Sequence, residues 1–280
     1  MQESFNPMGH STFADVEDEP GARASGNARD WLERACIVVP AFDAEDSIAK
    51  VIADLRDAIP ELRESIIVVD DGSRDATARI AEETGCFVVT SAGTTPPDGA
   101  SVSPSNRGKG AALRAGFEAA RARGLSVALT VDADGLHPAE EARRFLLAPG
   151  SETALVLGVR DLASAGAPRA NRFSNGISNF FLSRFARRPL QDTQCGLRRY
   201  PIRETLALPT RGEGYDFEAE VLLRAVWNGL EIIETPIRVL YPPDRKTHFQ
   251  TRRDVKRIIG TVVEALHERW TQSGGRRGEA

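Results

Sequence analysis

The chain has 280 residues, of which 41% are hydrophobic, and this is enough to bury the core of one large globular domain. Its formal net charge of −4 excludes a general electrostatic affinity for nucleic acid. Its three widely spaced cysteines, Cys36, Cys86 and Cys195, indicate neither a disulfide framework nor a zinc site, and favour a reducing compartment.

The N-terminal segment is polar and acidic. Residues 1–30 contain six acids, two arginines and no sustained apolar run. We therefore predict a disordered acidic tail over residues 1–34 that is neither a signal peptide nor a membrane anchor. No later segment reaches the roughly 18 to 20 consecutive apolar residues that a spanning helix requires. The expectation is a cytoplasmic protein, with peripheral contact at the inner face of the membrane left open.

The first motif ends a buried strand with two acids. Strand 36–39 is predicted to end at Pro40, and an amphipathic helix then runs to Pro60. The next segment, IIVVDDGSRDAT, predicts a parallel strand over 66–69, after which Asp70 and Asp71 emerge at its carboxyl end. In open α/β sheets, ligands bind at that edge. The alternative is that the two acids only cap the following helix.

The second motif opens a helix with glycines and cations. In NRGKGAALRAG, residues 107–110 precede an apolar stripe, and a helix amino terminus of this composition suits an anion. The spacing matches neither a P-loop nor the dinucleotide-binding fingerprint. The preceding segment 91–107 is rich in Gly, Pro and Ser, and predicts either a closing flap or a passive insertion.

The third motif, LTVDADGLHP, repeats the strand-then-acid arrangement. Strand 127–131 is followed by Asp132 and Asp134, whose carboxylates can converge on one cation. Mg²⁺ and Mn²⁺ prefer such oxygen ligands and leave positions open for phosphates. The sequence therefore predicts a site for a nucleotide diphosphate with a divalent metal.

The second half is rich in arginine. Residues 160–203 contain nine arginines and two acids, and guanidinium groups can bind phosphate in a bidentate way. The exposed run at Arg184, Arg187 and Arg188 is predicted only to be solvated. Asp192 is the candidate general base if the acceptor is a hydroxyl. If the acceptor is a lipid phosphate, Asp192 would position Arg198 or the acceptor, or would serve as an ion-pair partner.

The last elements complete a mostly parallel sheet. A further strand begins at Ala154, and a helix closed by Gly229 is expected to be core at Phe217, Val221 and Ala225. Strand 231–240, with Pro236 inside it, predicts a sheet edge. Helix 252–270 carries an apolar stripe that we expect to pack on the core. The alternative is that this helix, with four cations near its start, rests on anionic lipid. Residues 273–280 are predicted to be disordered.

Together, VVPAFDAEDSI, VVDDGSRDAT, NRGKGAALRAG and VDADGLHP resemble the family 2 glycosyltransferases, within them the branch similar to dolichyl-phosphate mannosyltransferase and other polyprenyl-phosphate glycosyltransferases. The resemblance implies an α/β protein with a GT-A fold, in which a Rossmann-like, mostly parallel sheet is flanked by helices. It implies one domain over 35–250, with a nucleotide-sugar half (35–150) and an acceptor half (151–250). The helix at 251–272 would follow as an addition.

The resemblance also implies residue roles and a Mg²⁺ or Mn²⁺ cofactor. The nucleotide would be bound by Pro40, Ala41, Glu45, Asp71, Lys109 and Asp132. The metal would be bound by Asp132, Asp134 and His248, and the catalytic residues would be Asp134, Asp192 and Arg198. The acceptor and its phosphate would contact Arg160, Arg172 and Gln194.

Two positions depart from the family pattern. Leu136 stands where many relatives have a glutamine donor, so His137 could compensate only if its ring turns inward, and Phe42 replaces a tyrosine. We predict a metal-dependent, inverting glycosyltransferase with a UDP- or GDP-sugar donor. Its acceptor would be polyprenyl phosphate or a lipid or polyketide hydroxyl. The alternatives are a binding protein of the same fold that has lost catalysis and, less favoured, a nucleotidyltransferase.

Overall fold

The structure is a computed structural model that describes residues 31–91, 106–240 and 251–275, with the side chains of the last segment described from 257 to 271. Three predictions fall on other residues and lie outside the described residues: the tail over 1–30, most of the loop at 91–107, and the metal-ligand role of His248. The disorder predicted over 273–280 begins too early, because the last helix continues to Gly275, and its remainder over 276–280 also lies outside the described residues.

The described chain forms one seven-stranded sheet in the order β3-β2-β1-β4-β6-β5-β7. Its strands are β1 (Ala35–Ala41), β2 (Ile66–Asp70), β3 (Phe87–Thr90), β4 (Val127–Thr130), β5 (Leu155–Arg160), β6 (Arg198–Pro201) and β7 (Ile232–Ile237). Only β6 runs antiparallel to its neighbours, β4 and β5. The predicted mostly parallel sheet is confirmed, and β7 with Pro236 lies at its edge as expected.

Helices cover both faces of the sheet. They are α1 (Ile48–Ala58), α2 (Thr77–Glu83), α3 (Lys109–Ala122), α4 (Ala139–Leu146), α5 (Arg169–Ala186), α6 (Ile202–Ala207), α7 (Asp216–Trp227) and α8 (Thr251–Gly275). One apolar core lies under α1, α2 and α4, and a second lies under α3 and α5 to α8. Burial on both faces is the reason why the parallel strands read as continuous apolar runs.

The first strand differs from its prediction at both ends. It continues through Pro40 to Ala41, where it still pairs with β2. Its pairing with β4 on the other side ends at Val38. Beyond that point a residue facing β4 has no ladder bond to donate, so a proline is tolerated there. At the other end, Trp31 is buried and its ring lies 5.0 Å from the Arg199 guanidinium. The folded part therefore begins before residue 35, the predicted boundary.

The last helix, α8, is only partly packed. Ile258 and Val262 are buried against α7, but Ile259 and Val263 are exposed, so the predicted stripe was too wide. An ion pair from Arg257 Nε to Asp216 Oδ1, at 3.0 Å, ties α8 to the start of α7. Within the described residues, no helix has the length and apolar character needed to cross a membrane.

Candidate active site

Asp71 organises the edge where β1, β2 and β4 end. Its Oδ1 accepts a hydrogen bond from the backbone N–H of Arg107 at 3.0 Å, and its Oδ2 accepts one from Gly108 at 2.7 Å. Gly108 has a φ of 107°, and a Cβ at this position would lie 2.6 Å from the carbonyl oxygen of Glu213. Only glycine fits there, and the buried Asp71 thereby fixes the start of α3.

Lys109, the first residue of α3, reaches the end of β4. Its Nζ lies 2.7 Å from Asp132 Oδ1 and 3.3 Å from Glu218 Oε2. Burial lowers the pKa of Lys109, but the Asp132 and Glu218 carboxylates outweigh burial and raise its pKa above the ordinary value. Burial likewise raises the pKa of Asp132, and Lys109 outweighs it, so the net shift is downward. The pair is therefore fully charged at neutral pH.

Glu218 is a site residue that the sequence analysis missed. It lies in the first turn of α7, next to Phe217, in a segment whose apolar spacing indicated core. The signal available in the sequence was an acid flanked by apolar positions of a helix that was expected to be core. Glu218 is indeed 4% exposed, and a buried carboxylate requires a partner. Lys109, more than 100 residues away, is the nearer partner at 3.3 Å, and Arg198 Nε lies 3.9 Å from the other carboxylate oxygen.

Gly196 brings the second half of the chain against this cluster. A Cβ at Gly196 would collide with the Asp132 carboxylate and would lie 2.7 Å from Lys109 Nζ. The segment 192–197, which was predicted to serve the acceptor, therefore packs directly on the Lys109–Asp132 pair. This contact joins the proposed nucleotide half to the proposed acceptor half.

Asp134 and His137 occupy the loop after β4. Asp134 is exposed, and its Oδ1 accepts a hydrogen bond from the N–H of Leu136 at 3.1 Å. His137 has turned inward and is 8% exposed, and its Nδ1 has no hydrogen-bond partner among the described residues. An unsatisfied buried nitrogen is uncommon, so a further polar group is expected at this place.

The donor set fits a hard divalent cation that is bound together with substrate. Among the described residues, no group of three or more His, Cys, Asp or Glu side chains forms a complete metal cage. Mg²⁺ and Mn²⁺ need no such cage at phosphate sites, where one or two carboxylates act together with phosphate oxygens and water. Asp132 and Asp134 would supply those carboxylates.

The buried His137 leads to a testable pH dependence of the metal-free protein. Burial lowers its pKa from 6.5 to about 4, and the nearby Asp132 compensates only part of this. As pH falls below the unfolded pKa, the unfolded chain takes up the proton first, so stability is lost between about pH 6.5 and pH 4, by about 3 kcal/mol. Urea denaturation in chelator measures it. In the His137→Asn variant, the free energy of unfolding should fall less steeply over that pH window than in the wild type. Equal slopes in the two proteins would contradict the prediction.

Asp192 pairs with Arg160, not with Arg198. Arg160 Nε lies 2.6 Å from Asp192 Oδ2, and Arg160 Nη2 lies 2.9 Å from Oδ1, a bidentate pair. The backbone N–H groups of Arg160 and Gln194 also donate to this carboxylate, at 3.1 and 3.3 Å. Asp192 is 1% exposed. Both of its oxygens are engaged, so the geometry matches the ion-pair alternative and does not support a general base.

Arg198 lies behind the site. It is completely buried, and its guanidinium donates to the carbonyl oxygens of Thr193, Cys195 and Glu218, each at 2.8 Å. The prediction that it acts at the reacting atoms does not agree with this position. Arg198 instead holds the 192–197 segment against α7. The other acceptor candidates are placed differently: Gln194 donates weakly to Ser174 Oγ at 3.4 Å, and Arg172 is exposed on α5.

The remaining nucleotide candidates lie in the loop after β1. Ala41 is buried and Pro40 is half-buried at the end of that strand. Glu45 is exposed, and its Oε2 accepts a hydrogen bond from the N–H of Ala76 at 3.0 Å, while its own N–H donates to Asp75 at 3.1 Å. The loops after β1 and β2 thus interlock at the edge that carries Asp71. Their roles in binding nucleotide stay predictions.

The sheet order, with its acidic strand ends, and the sequence both match a known class. The sequence model described as glycosyl transferase family 2 matches residues 36–200. The chain belongs to this family and is a glycosyltransferase.

Particular relatives extend the similarity beyond the family model. Polyprenol monophosphomannose synthase of Mycolicibacterium smegmatis is 30% identical over 236 residues, covering 78% of this chain and 83% of that protein. Undecaprenyl-phosphate mannosyltransferase of Micrococcus luteus is 28% identical, covering 73% and 82%. Among solved structures, Mycobacterium tuberculosis glucosyl-3-phosphoglycerate synthase superposes with a TM-score of 0.65 at 21% identity, covering 87% of this chain and 86% of that one. This likeness confirms the GT-A fold.

Proposed function

We propose that this glycosyltransferase moves a sugar from a UDP- or GDP-sugar, with Mg²⁺ or Mn²⁺, to a lipid phosphate with inversion at the anomeric carbon. The observation that carries the proposal is the convergence of Lys109, Asp132 and Glu218 at one sheet edge, with Asp134 two residues from Asp132. Relatives support it by their names, polyprenol monophosphomannose synthase and undecaprenyl-phosphate mannosyltransferase. A solved structure of the same fold contains UDP and Mn²⁺.

On the donor side, the carboxylates of Asp132 and Asp134 would hold the divalent cation. The metal, when bound, stabilises the negative charge that develops on the departing diphosphate. Lys109 keeps Asp132 ionised and oriented, since it pairs with that carboxylate at 2.7 Å. Lys109 in turn is fixed by Asp71, which anchors the backbone of the two residues before it.

On the acceptor side, the Arg160–Asp192 pair favours a phosphate over a hydroxyl. A hydroxyl acceptor needs a base to take its proton, and both oxygens of Asp192 already accept hydrogen bonds from Arg160. A phosphate is already anionic and needs no base, but it does need a positioned cation. Arg160, oriented by Asp192 and 15% exposed, provides one.

The donor side and the proposed acceptor segment are in contact. A Cβ at Gly196, in segment 192–197, would lie 2.3 Å from Asp132 Oδ2 and 2.7 Å from Lys109 Nζ. Asp192, the partner of Arg160, belongs to the same segment. An acceptor phosphate at Arg160 would attack the anomeric carbon on the face opposite the diphosphate, and one such displacement inverts the configuration.

Two measurements test the function. Calorimetry with UDP-glucose, UDP-N-acetylglucosamine and GDP-mannose, each with and without Mn²⁺, identifies the donor, and binding should strengthen with Mn²⁺. The transfer assay then compares a short-chain polyprenyl phosphate with the corresponding alcohol and with 3-phosphoglycerate. Product is expected with the lipid phosphate alone. Transfer to the alcohol or to 3-phosphoglycerate, without transfer to the lipid phosphate, would overturn the proposed acceptor.

A further inference from the structure

Helix α5 exposes aromatic side chains where a soluble protein normally places polar ones. Phe173 is 71% exposed, Phe180 is 68% exposed and Phe181 is 44% exposed. The rings of Phe180 and Phe181 contact each other edge to face, with centroids 5.5 Å apart. Large apolar side chains clustered on one surface indicate a contact with another body.

Arginines share this face with the phenylalanines. Arg169, Arg172, Arg184 and Arg187 are all exposed, and no carboxylate among the described residues forms an ion pair with them. The 20 residues from 169 to 188 contain five arginines, no lysine and no acid. At about 100° per residue, Arg169, Phe173, Phe180 and Arg184 fall within about 60° of the helix surface, and Arg187 follows directly at the C-cap of the helix. We call this face the Phe-Arg face.

The opposite face of α5 contacts the proposed acceptor segment. Ser178 Oγ lies 2.8 Å from Thr193 Oγ1, and Asn179 Oδ1 accepts a hydrogen bond from the N–H of Thr193 at 2.9 Å. Thr193 directly follows Asp192, the partner of Arg160. The Phe-Arg face therefore lies one helix thickness, about 10 Å, from the residues proposed to hold the acceptor phosphate.

We propose that the Phe-Arg face of α5 docks on an anionic lipid bilayer and presents the acceptor segment to the lipid phosphate. Aromatic side chains with arginines on one helix face form the pattern of a helix that lies in the membrane interface. The phenylalanines enter the acyl boundary, and the guanidinium groups remain at the lipid phosphates. The inference rests on the proposed lipid acceptor for its purpose, but the binding test below is independent of transfer.

Charge favours a bilayer over a second copy of this chain. A symmetric dimer through α5 would bring two sets of unpaired arginines together without any carboxylate on the face to compensate them. The other exposed apolar side chains of helices in this half, Ile259, Val263 and Trp270, lie on α8, which packs on α7, whereas α5 contacts the proposed acceptor segment directly.

The binding test is sedimentation of the full chain with vesicles, without donor or metal. The protein should bind vesicles of phosphatidylcholine containing phosphatidylglycerol, should bind phosphatidylcholine alone weakly, and should dissociate as salt is raised. The Arg169→Gln/Arg184→Gln/Arg187→Gln variant should lose on the order of 100-fold in partitioning at low salt. Phe173→Ser/Phe180→Ser should lose at least about tenfold.

Matched controls separate the face from general surface properties. The charge control is Arg63→Gln/Arg121→Gln/Arg203→Gln, which removes three exposed arginines elsewhere. The apolar control is Ile259→Ser/Val263→Ser on α8. Both should bind vesicles within about twofold of the wild type. Losses in the controls equal to those of the α5 variants would overturn the proposal, as would no binding by the wild type.

Two further measurements decide the remaining outcomes. Sedimentation velocity that shows a dimer abolished by Phe173→Ser/Phe180→Ser would overturn the bilayer and assign the face to a second copy. In transfer assays, the α5 variants should lose activity with a long-chain acceptor in vesicles but keep it with a short soluble one. Vesicle binding without any transfer would refute the proposed function and leave the docking face standing. Transfer without vesicle binding would refute the docking face alone.

Discussion

Replacing Asp134 with asparagine is expected to lower kcat/KM by about 10³-fold and to leave the melting temperature unchanged. The variant keeps the shape of the side chain but loses the charge that would bind the cation on the diphosphate. Asp134 is exposed, and such surface changes shift stability by no more than about 0.5 kcal/mol. Steady-state kinetics over a Mn²⁺ series and thermal unfolding measure both effects.

The control for Asp134 is Glu140→Gln, an exposed acid of the first turn of α4 that removes the same charge from the neighbouring surface. It should keep activity within about twofold, since screened charges outside the site contribute little. Calorimetry with UDP should show that Mn²⁺ strengthens binding in the control but not in Asp134→Asn. Full activity of Asp134→Asn would refute the metal assignment.

Replacing Lys109 with methionine is expected to destabilise the fold by about 3 to 5 kcal/mol, because it removes the cation that pairs with both Asp132 and Glu218. The cation that then remains beside Glu218 is the more distant Arg198, whose Nε lies 3.9 Å from Glu218 Oε1. The Asp132 side chain is 30% exposed and the Glu218 side chain is 6% exposed. Water can therefore solvate the unpaired charge of Asp132 only partly, and that of Glu218 hardly at all. Urea denaturation at pH 7 measures the loss.

A second substitution makes the Lys109 test specific. The double variant Lys109→Met/Glu218→Gln has the same net charge in this cluster as the wild type. More than half of the stability lost in Lys109→Met should therefore return. The affinity for the nucleotide-sugar donor should not return. Glu218→Gln alone should cost less than Lys109→Met, because Asp132 still pairs with Lys109 at 2.7 Å. A Lys109→Met protein within about 1 kcal/mol of the wild type, the range of an exposed ion pair, would show that the cluster is not a buried ionic one.

The acidic edge of the sheet could be predicted because it depends on local pattern and on one general rule. Runs of β-branched residues mark parallel strands that are buried on both faces, and the carboxyl ends of such strands meet at one edge. Asp71 and Asp132, which follow two of these runs, therefore had to lie at the same edge of the sheet, on either side of β1. The structure links them through Gly108 and Lys109, consecutive residues at the start of α3.

The pairing of the buried charges could not be predicted. Asp192 had three candidate roles in the sequence, and its partner Arg160 lies 32 residues earlier, at the end of β5. The two meet because β6 inserts antiparallel between β4 and β5, and the charged sequence of β6 gave no strand signal. The same insertion buries Arg198, which the family resemblance had placed at the reacting atoms.

By itself, the sequence determined the fold class, the family, and the edge at which Asp71, Asp132 and Asp134 emerge, since hydrophobic period and strand polarity are local properties of the chain. Tertiary structure alone decided which charges neutralise one another and which face of α5 stays exposed. Those outcomes depend on contacts between residues far apart in sequence, such as Lys109 with Glu218, where the cost of burying a charge is met only by a partner that folding brings within about 3 Å.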